Sequence, residues 1–134
     1  MRFVDLFCGI GGFHAALSQF GHECVFACDI DESAANVYET NFGIRPSRDI
    51  RECNNLPDFE ILCAGFPCQP FSKSGSQEGF GDETRGTLFH EIMRIVRESD
   101  PSILFLENVP NLERHDEGNT YRVIRGAIEK AGYR

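Results

Sequence analysis

At 134 residues the chain is sized for a single domain able to bury about 68% of its unfolded surface. Acidic side chains (21) outnumber basic ones (13), so the chain lacks the cationic surface that would let it grip phosphates alone. No charged-then-apolar leader opens it and no apolar run reaches the roughly 18 residues of a membrane span, so the expectation is a soluble, cytoplasmic protein, neither secreted nor inserted in a membrane.

In chain order, Phe3 to Phe7 reads as a short buried strand that ends in the glycine turn Cys8-Gly9-Ile10-Gly11-Gly12. A helix follows with Phe13, Ala16, Leu17 and Phe20 on one face, and Gly21 stops it. Cys24 to Cys28 is the second strand, closed by Asp29-Ile30-Asp31. Asp31 caps a helix whose inward face is Ala34, Val37, Tyr38 and Asn41. A short third strand ends at Asp49-Ile50, and Glu60 to Ala64 is a strong apolar run leading into Gly65-Phe66-Pro67-Cys68-Gln69-Pro70-Phe71-Ser72. From Pro67 to Gly86 no regular pattern holds, and four glycines (Gly75, Gly79, Gly81, Gly86) mark the stretch as a lid. Thr87 caps a helix with Leu88, Ile92, Ile95 and Val96 inward. Asp100-Pro101 breaks it, and Ser102 to Leu106 reads as a buried strand before Glu107-Asn108-Val109-Pro110. A last helix carries Val123, Ile124, Ala127 and Ile128 and reaches Gly132, where another strand would be due.

Apolar strands alternating with amphipathic helices define an α/β protein with a parallel sheet covered on both faces. Its ligand crevice lies at the carboxyl ends of the strands. There the glycine turn allows close backbone approach, but His14 stands where a dinucleotide fingerprint needs its last glycine, so no pyrophosphate fit is expected. Asp29 can accept the hydroxyls of a ribose, or it assists Asp31 in capping; Asp49 can accept from an adenine amine. Cys68 and Glu107 each follow an apolar strand. If those strands are neighbours their ends lie about 5 Å apart, placing a nucleophile and an acid in one crevice. The thiol needs a lowered pKa for that role, while Glu107 needs a raised one, which burial would supply. The six cysteines lack paired C-x-x-C spacing, so free thiols and no metal site are expected, with Cys63 an inert core residue. A cysteine hydrolase would need a histidine at a strand end, whereas His14, His22, His90 and His115 read as helix or surface residues.

Asp5-Leu6-Phe7-Cys8-Gly9-Ile10-Gly11-Gly12-Phe13, the octapeptide around Cys68 and Glu107-Asn108-Val109 closely resemble the DNA (cytosine-5)-methyltransferases. Asp29, Asp49-Ile50 and Arg85-Gly86-Thr87-Leu88-Phe89 support the likeness, which spans essentially the whole chain. The resemblance implies a Rossmann-like methyltransferase fold, of the restriction-modification kind, that is incomplete here. It implies S-adenosyl-L-methionine as cofactor, with Phe7, Gly9 and Gly11 around it, Asp29 on the ribose, Asp49 and Ile50 at the adenine, Pro67 beside it, and Ile30 in apolar contact where the family often has a large aromatic. It further implies that Cys68 adds to carbon 6 of cytosine, Glu107 stabilises ring nitrogen 3, Pro67 fixes the backbone before the nucleophile and Asn108 orients the loop. The substrate would be double-stranded DNA with the cytosine flipped out, under a lid from Ser72 to Gly86.

Family members continue with a glutamine-and-arginine motif, a target-recognition region and a segment that completes the cofactor pocket. The chain is therefore expected to be the N-terminal lobe of a catalytic domain, active with a C-terminal part or a complementing subunit. It would bind cofactor weakly alone and self-associate through an exposed sheet edge. The alternative is an inactive lobe that serves as a nucleoside-binding or interaction module.

Overall fold

The computed structural model describes residues 1–67 and 87–134. Among these residues four strands, β1 (Arg2–Leu6), β2 (Glu23–Cys28), β3 (Ile61–Gly65) and β4 (Ile103–Glu107), form one sheet in the order β2-β1-β3-β4 with every pairing parallel. Among the described residues the α-helices are α1 (Gly12–Ser18), α2 (Glu32–Phe42), α3 (Leu88–Ser99) and α4 (Asn119–Lys130). This is the expected α/β class. No helix among the described residues is long and apolar enough to cross a membrane.

The chain divides into two compact units that interleave in sequence: Met1–Phe66 with Ser99–Glu107, and Pro67–Glu98 with Asn108–Arg134. The first holds the sheet with α1 and α2. Alternation along the strands buries both faces of β1 and β3. Phe3, Ile61 and Cys63 join Cys24 in a cluster against Phe13 and Leu17 of α1, while Val4, Leu6, Leu62 and Ala64 on the opposite face are fully buried. Each such large side chain contributes about 1.5–3 kcal/mol. The second unit, as described, comprises α3, two 3₁₀ turns and α4. Thr87 caps α3 as expected, its Oγ1 accepting from His90 N, and Phe89, Ile92, Met93, Ile95 and Val96 are buried. In α4 Thr120, Val123 and Ile124 are buried.

Four expectations need correcting. The helix α1 stops at Ser18, so Phe20 falls in the turn before Gly21 (φ 76°) and is 79% exposed instead of facing inward. On α2 the inward residues are Ala35 and Tyr38, with Phe42 packed beside them; Val37 and Asn41 face water, because Tyr38 and Phe42 are drawn under the glycine turn and set the helix rotation. The short strand before Asp49 reduces to a single bridge between Ser47 and Cys28, after which the chain turns into a 3₁₀ segment, Ile50–Glu52. Finally β4 lies at the end of the strand order and is only half covered, with Ile103 and Phe105 exposed.

Candidate functional site

Strand order reverses around β1, which places a switch point at its carboxyl end. There β1 stops at Leu6 and Phe7 takes a left-handed φ of 56°, a conformation that costs a non-glycine residue about 1 kcal/mol or more. Gly9 (φ 53°) and Gly11 (φ 97°) continue the turn. A Cβ on Gly9 would meet nothing within 4 Å, so the turn encloses open space, whereas a Cβ on Gly11 would overlap the Phe42 ring. Glycine is thus needed at 11 for packing and leaves a cradle at 9.

Asp29 closes this cradle. Its Oδ2 accepts from Gly9 N at 2.7 Å and its Oδ1 from Asp31 N at 2.8 Å, so one carboxylate joins the glycine turn to the end of β2. Both readings of Asp29 from sequence therefore meet in one residue: it assists the cap, and each oxygen keeps a further lone pair for a ligand hydroxyl. Asp31 is the cap itself, accepting from Ser33 N and Ala34 N. Ile30 and Ile10, next in sequence to Asp29 and to Gly9 and Gly11, are 67% and 64% exposed, and of the two only Ile30 was anticipated.

Asp49 is engaged differently from the sequence expectation. Its carboxylate accepts from Arg51 N, Nε and a terminal guanidinium nitrogen at 2.7–3.1 Å. The Arg51 side chain and backbone hold its carboxyl below the usual carboxylate range. An adenine amine would share this acceptor with Arg51. Cys53 Sγ donates to the Asp49 carbonyl at 3.3 Å and lies 3.6 Å from Cys28 Sγ, tying this turn to the end of β2. Ile50 is buried beneath it.

On the other side of β1, β3 ends at Gly65, which pairs in register with Glu107 at the end of β4. A Cβ on Gly65 would sit 3.5 Å from Glu107 Oε2. The neighbouring-strand condition set for Glu107 is met. Its expected burial is not: Glu107 is exposed because β4 is the end strand. Pro67 is exposed, and Asn108 Oδ1 accepts from Val109 N at 2.9 Å, folding the side chain onto its own loop. Cys68 and the Ser72–Gly86 lid lie outside the described residues. Cys8, Cys24, Cys28, Cys53 and Cys63 are free and buried, and burial pushes the Cys63 thiol up to about 12, the inert state expected of it.

Sequence reading missed a polar cluster under the turn: Asp5 of β1, His14 of α1 and Tyr38 of α2 are all buried. Its signal was an aspartate inside an apolar strand run, with a histidine on the α1 face.

The parallel order, the glycine turn after β1 and the acid after β2 define a Rossmann-like fold of the methyltransferase class. The same fold appears in the Dnmt2 methyltransferase of S. pombe, with a TM-score of 0.70 at 24% identity over 97% of this chain and 42% of that one. The family model for C-5 cytosine-specific DNA methylases matches residues 1–134, and the chain belongs to that family. It is 52% identical to the type II methyltransferase M.HhaI of Haemophilus parahaemolyticus over 99% of its own length and 41% of the relative's. With M.MspI of Moraxella it shares 50% over 99% of this chain and 32% of that protein. The chain thus spans about two-fifths or less of these curated relatives.

Proposed function

We propose that the chain carries the cofactor pocket and the nucleophile loop of an enzyme that methylates carbon 5 of cytosine in DNA. The observation that supports this most is the pairing of Gly65 with Glu107, three residues before Cys68. Three residues of chain span at most about 11 Å, which leaves the Cys68 thiol within reach of a base that also meets Glu107 in the proposed reaction.

The cradle fits S-adenosyl-L-methionine: open space at Gly9, two acceptor oxygens on Asp29 and apolar side chains at Ile10 and Ile30 suit an adenosine without a pyrophosphate. Phe7, Gly9 and Gly11 would line it, Asp29 would hold the ribose, Asp49 and Ile50 the adenine, and Pro67 its outer side. When bound, the cofactor supplies an electrophilic methyl group. Cys68 adds to carbon 6 of the flipped cytosine, which makes carbon 5 nucleophilic, and is expelled after the carbon 5 proton leaves. Glu107 hydrogen-bonds or protonates ring nitrogen 3 as charge develops there, and the burial that this role needs would come with the bound base. Asn108 orients the loop.

DNA affinity and recognition reside with a C-terminal part or a complementing subunit, in keeping with the acidic charge of −8. The test is to supply the C-terminal part of one of the relatives in trans and follow labelled methyl transfer to duplex DNA. Transfer that disappears in Cys68→Ser is expected. No transfer under any complementation would favour a nucleoside-binding module without turnover.

A further inference from the structure

The polar cluster beneath the glycine turn takes no part in the chemistry described so far. Tyr38 is its hub: Oη lies 2.7 Å from His14 Nδ1, 3.4 Å from Cys24 Sγ and 3.5 Å from Asp5 Oδ2. A phenol has one hydrogen to donate. With Asp5 ionised, His14 Nδ1–H donates to Tyr38 and Tyr38 O–H donates to Asp5 Oδ2; with Asp5 protonated, the acid O–H turns to the Tyr38 oxygen and Tyr38 donates to Nδ1, which places the imidazole hydrogen on Nε2. Tyr38 reaches Asp5 Oδ2 at 3.5 Å, too long for a strong bond, and Oδ1 is buried without a hydrogen-bond partner. With that long contact and the His14 backbone alone to serve it, a fully buried carboxylate is disfavoured and the neutral carboxyl is the preferred form.

The cluster also touches the turn. The His14 ring stacks on Phe42 with centroids 4.0 Å apart and planes 13° from parallel, and Phe42 is the ring against which Gly11 lies. We infer that Asp5, His14 and Tyr38 are positioning residues joined in one hydrogen-bond chain, which holds the glycine turn in its nucleoside-binding shape while Asp5 is protonated and His14 is neutral. The inference rests on reading the turn as a nucleoside site.

The groups acting on Asp5 are the His14 backbone, Tyr38 and Asp29, and its charge is felt by Cys8, Cys24 and Cys63. The Asp29 charge adds to burial in opposing ionisation. Burial first, against hydrogen bonds from the His14 backbone and Tyr38, lifts the Asp5 carboxyl from 3.8 to about 7; burial lowers His14 below its ordinary 6.5. The sign follows. Between 3.8 and about 7 the folded chain holds a proton that the unfolded chain has lost, so the contribution of Asp5 to stability declines as pH rises through that window. Nucleoside affinity should peak where both groups are neutral. Above the Asp5 midpoint it should fall by about tenfold per pH unit if only the neutral form binds.

Two measurements on the whole chain test this. Long-range ¹H–¹⁵N spectra of the imidazole, recorded without ligand near neutral pH, are expected to show His14 neutral with its hydrogen on Nε2; an Nδ1–H tautomer or a cationic ring would overturn the proton assignment. Calorimetry with S-adenosyl-L-homocysteine from about pH 5.5 to about pH 8.5 should give a bell-shaped affinity, with Asp5→Asn removing the alkaline limb and His14→Gln the acid limb. Should either variant fail to fold, the wild-type profile and the ring spectrum still decide. Binding with a flat wild-type profile, or unchanged limbs in both variants, sinks the inference alone. Absence of binding at every pH sinks the nucleoside reading, and the positioning role with it.

Discussion

Gly9 and Gly11 sit two residues apart in one turn, yet a methyl group at each would do different things. At Gly11 it would meet the Phe42 ring and also strain a φ of 97°. Gly11→Ala is expected to lower stability by about 2–4 kcal/mol, combining left-handed strain with overpacking, read as a lower urea midpoint. At Gly9 the methyl would enter open space, so Gly9→Ala should cost only about 1–2 kcal/mol of strain while weakening S-adenosyl-L-homocysteine binding. Equal loss of stability in the two variants would contradict the packing asymmetry. These glycines, Asp29 and Glu107 were legible in the sequence because each follows an apolar run that fixes where a strand ends, and strand ends are where such a fold binds. Asp49 was legible as a position but not as a state: Arg51, two residues on, turns back onto it, a local contact that spacing alone did not weigh.

The elements divide by how locally they are determined. Asp31 begins α2 by accepting two backbone N–H groups, and Gly43 ends it at a φ of 71°. Asp31→Ala is expected to cost about 1 kcal/mol, measured as a shift of the denaturation midpoint without a change in slope; no shift would mean that Asp29 alone fixes the loop. Starts and stops of this kind could be read from letters. Which face of α2 turns inward could not, because Ala34, Ala35, Val37 and Tyr38 support two rotations and the buried Tyr38–His14–Asp5 contacts choose between them. Burial of β4 was misjudged for a related reason. Its apolar letters match those of β3, but the described strand order puts it at the end, where Phe105 meets Phe13 of α1 with ring centroids 5.2 Å apart and stays 52% exposed.

At the scale of the whole molecule, a glycine cradle closed by Asp29 and the Gly65–Glu107 strand end occupy the carboxyl edge of the same sheet, on either side of β1. The free outer edge of β4 in the described sheet is where the expected self-association would occur. One reaction would use both the cradle and the strand end, with Cys68 Sγ as its nucleophile. The direct test uses a duplex carrying 5-fluorocytosine, in which fluorine replaces the proton that must leave. It is incubated with S-adenosyl-L-methionine, this chain and a complementing C-terminal part. A covalent protein–DNA adduct should form, map by mass spectrometry to the peptide containing Cys68 and be absent in Cys68→Ser. An adduct on another cysteine, or undiminished methyl transfer by Cys68→Ser, would contradict the account.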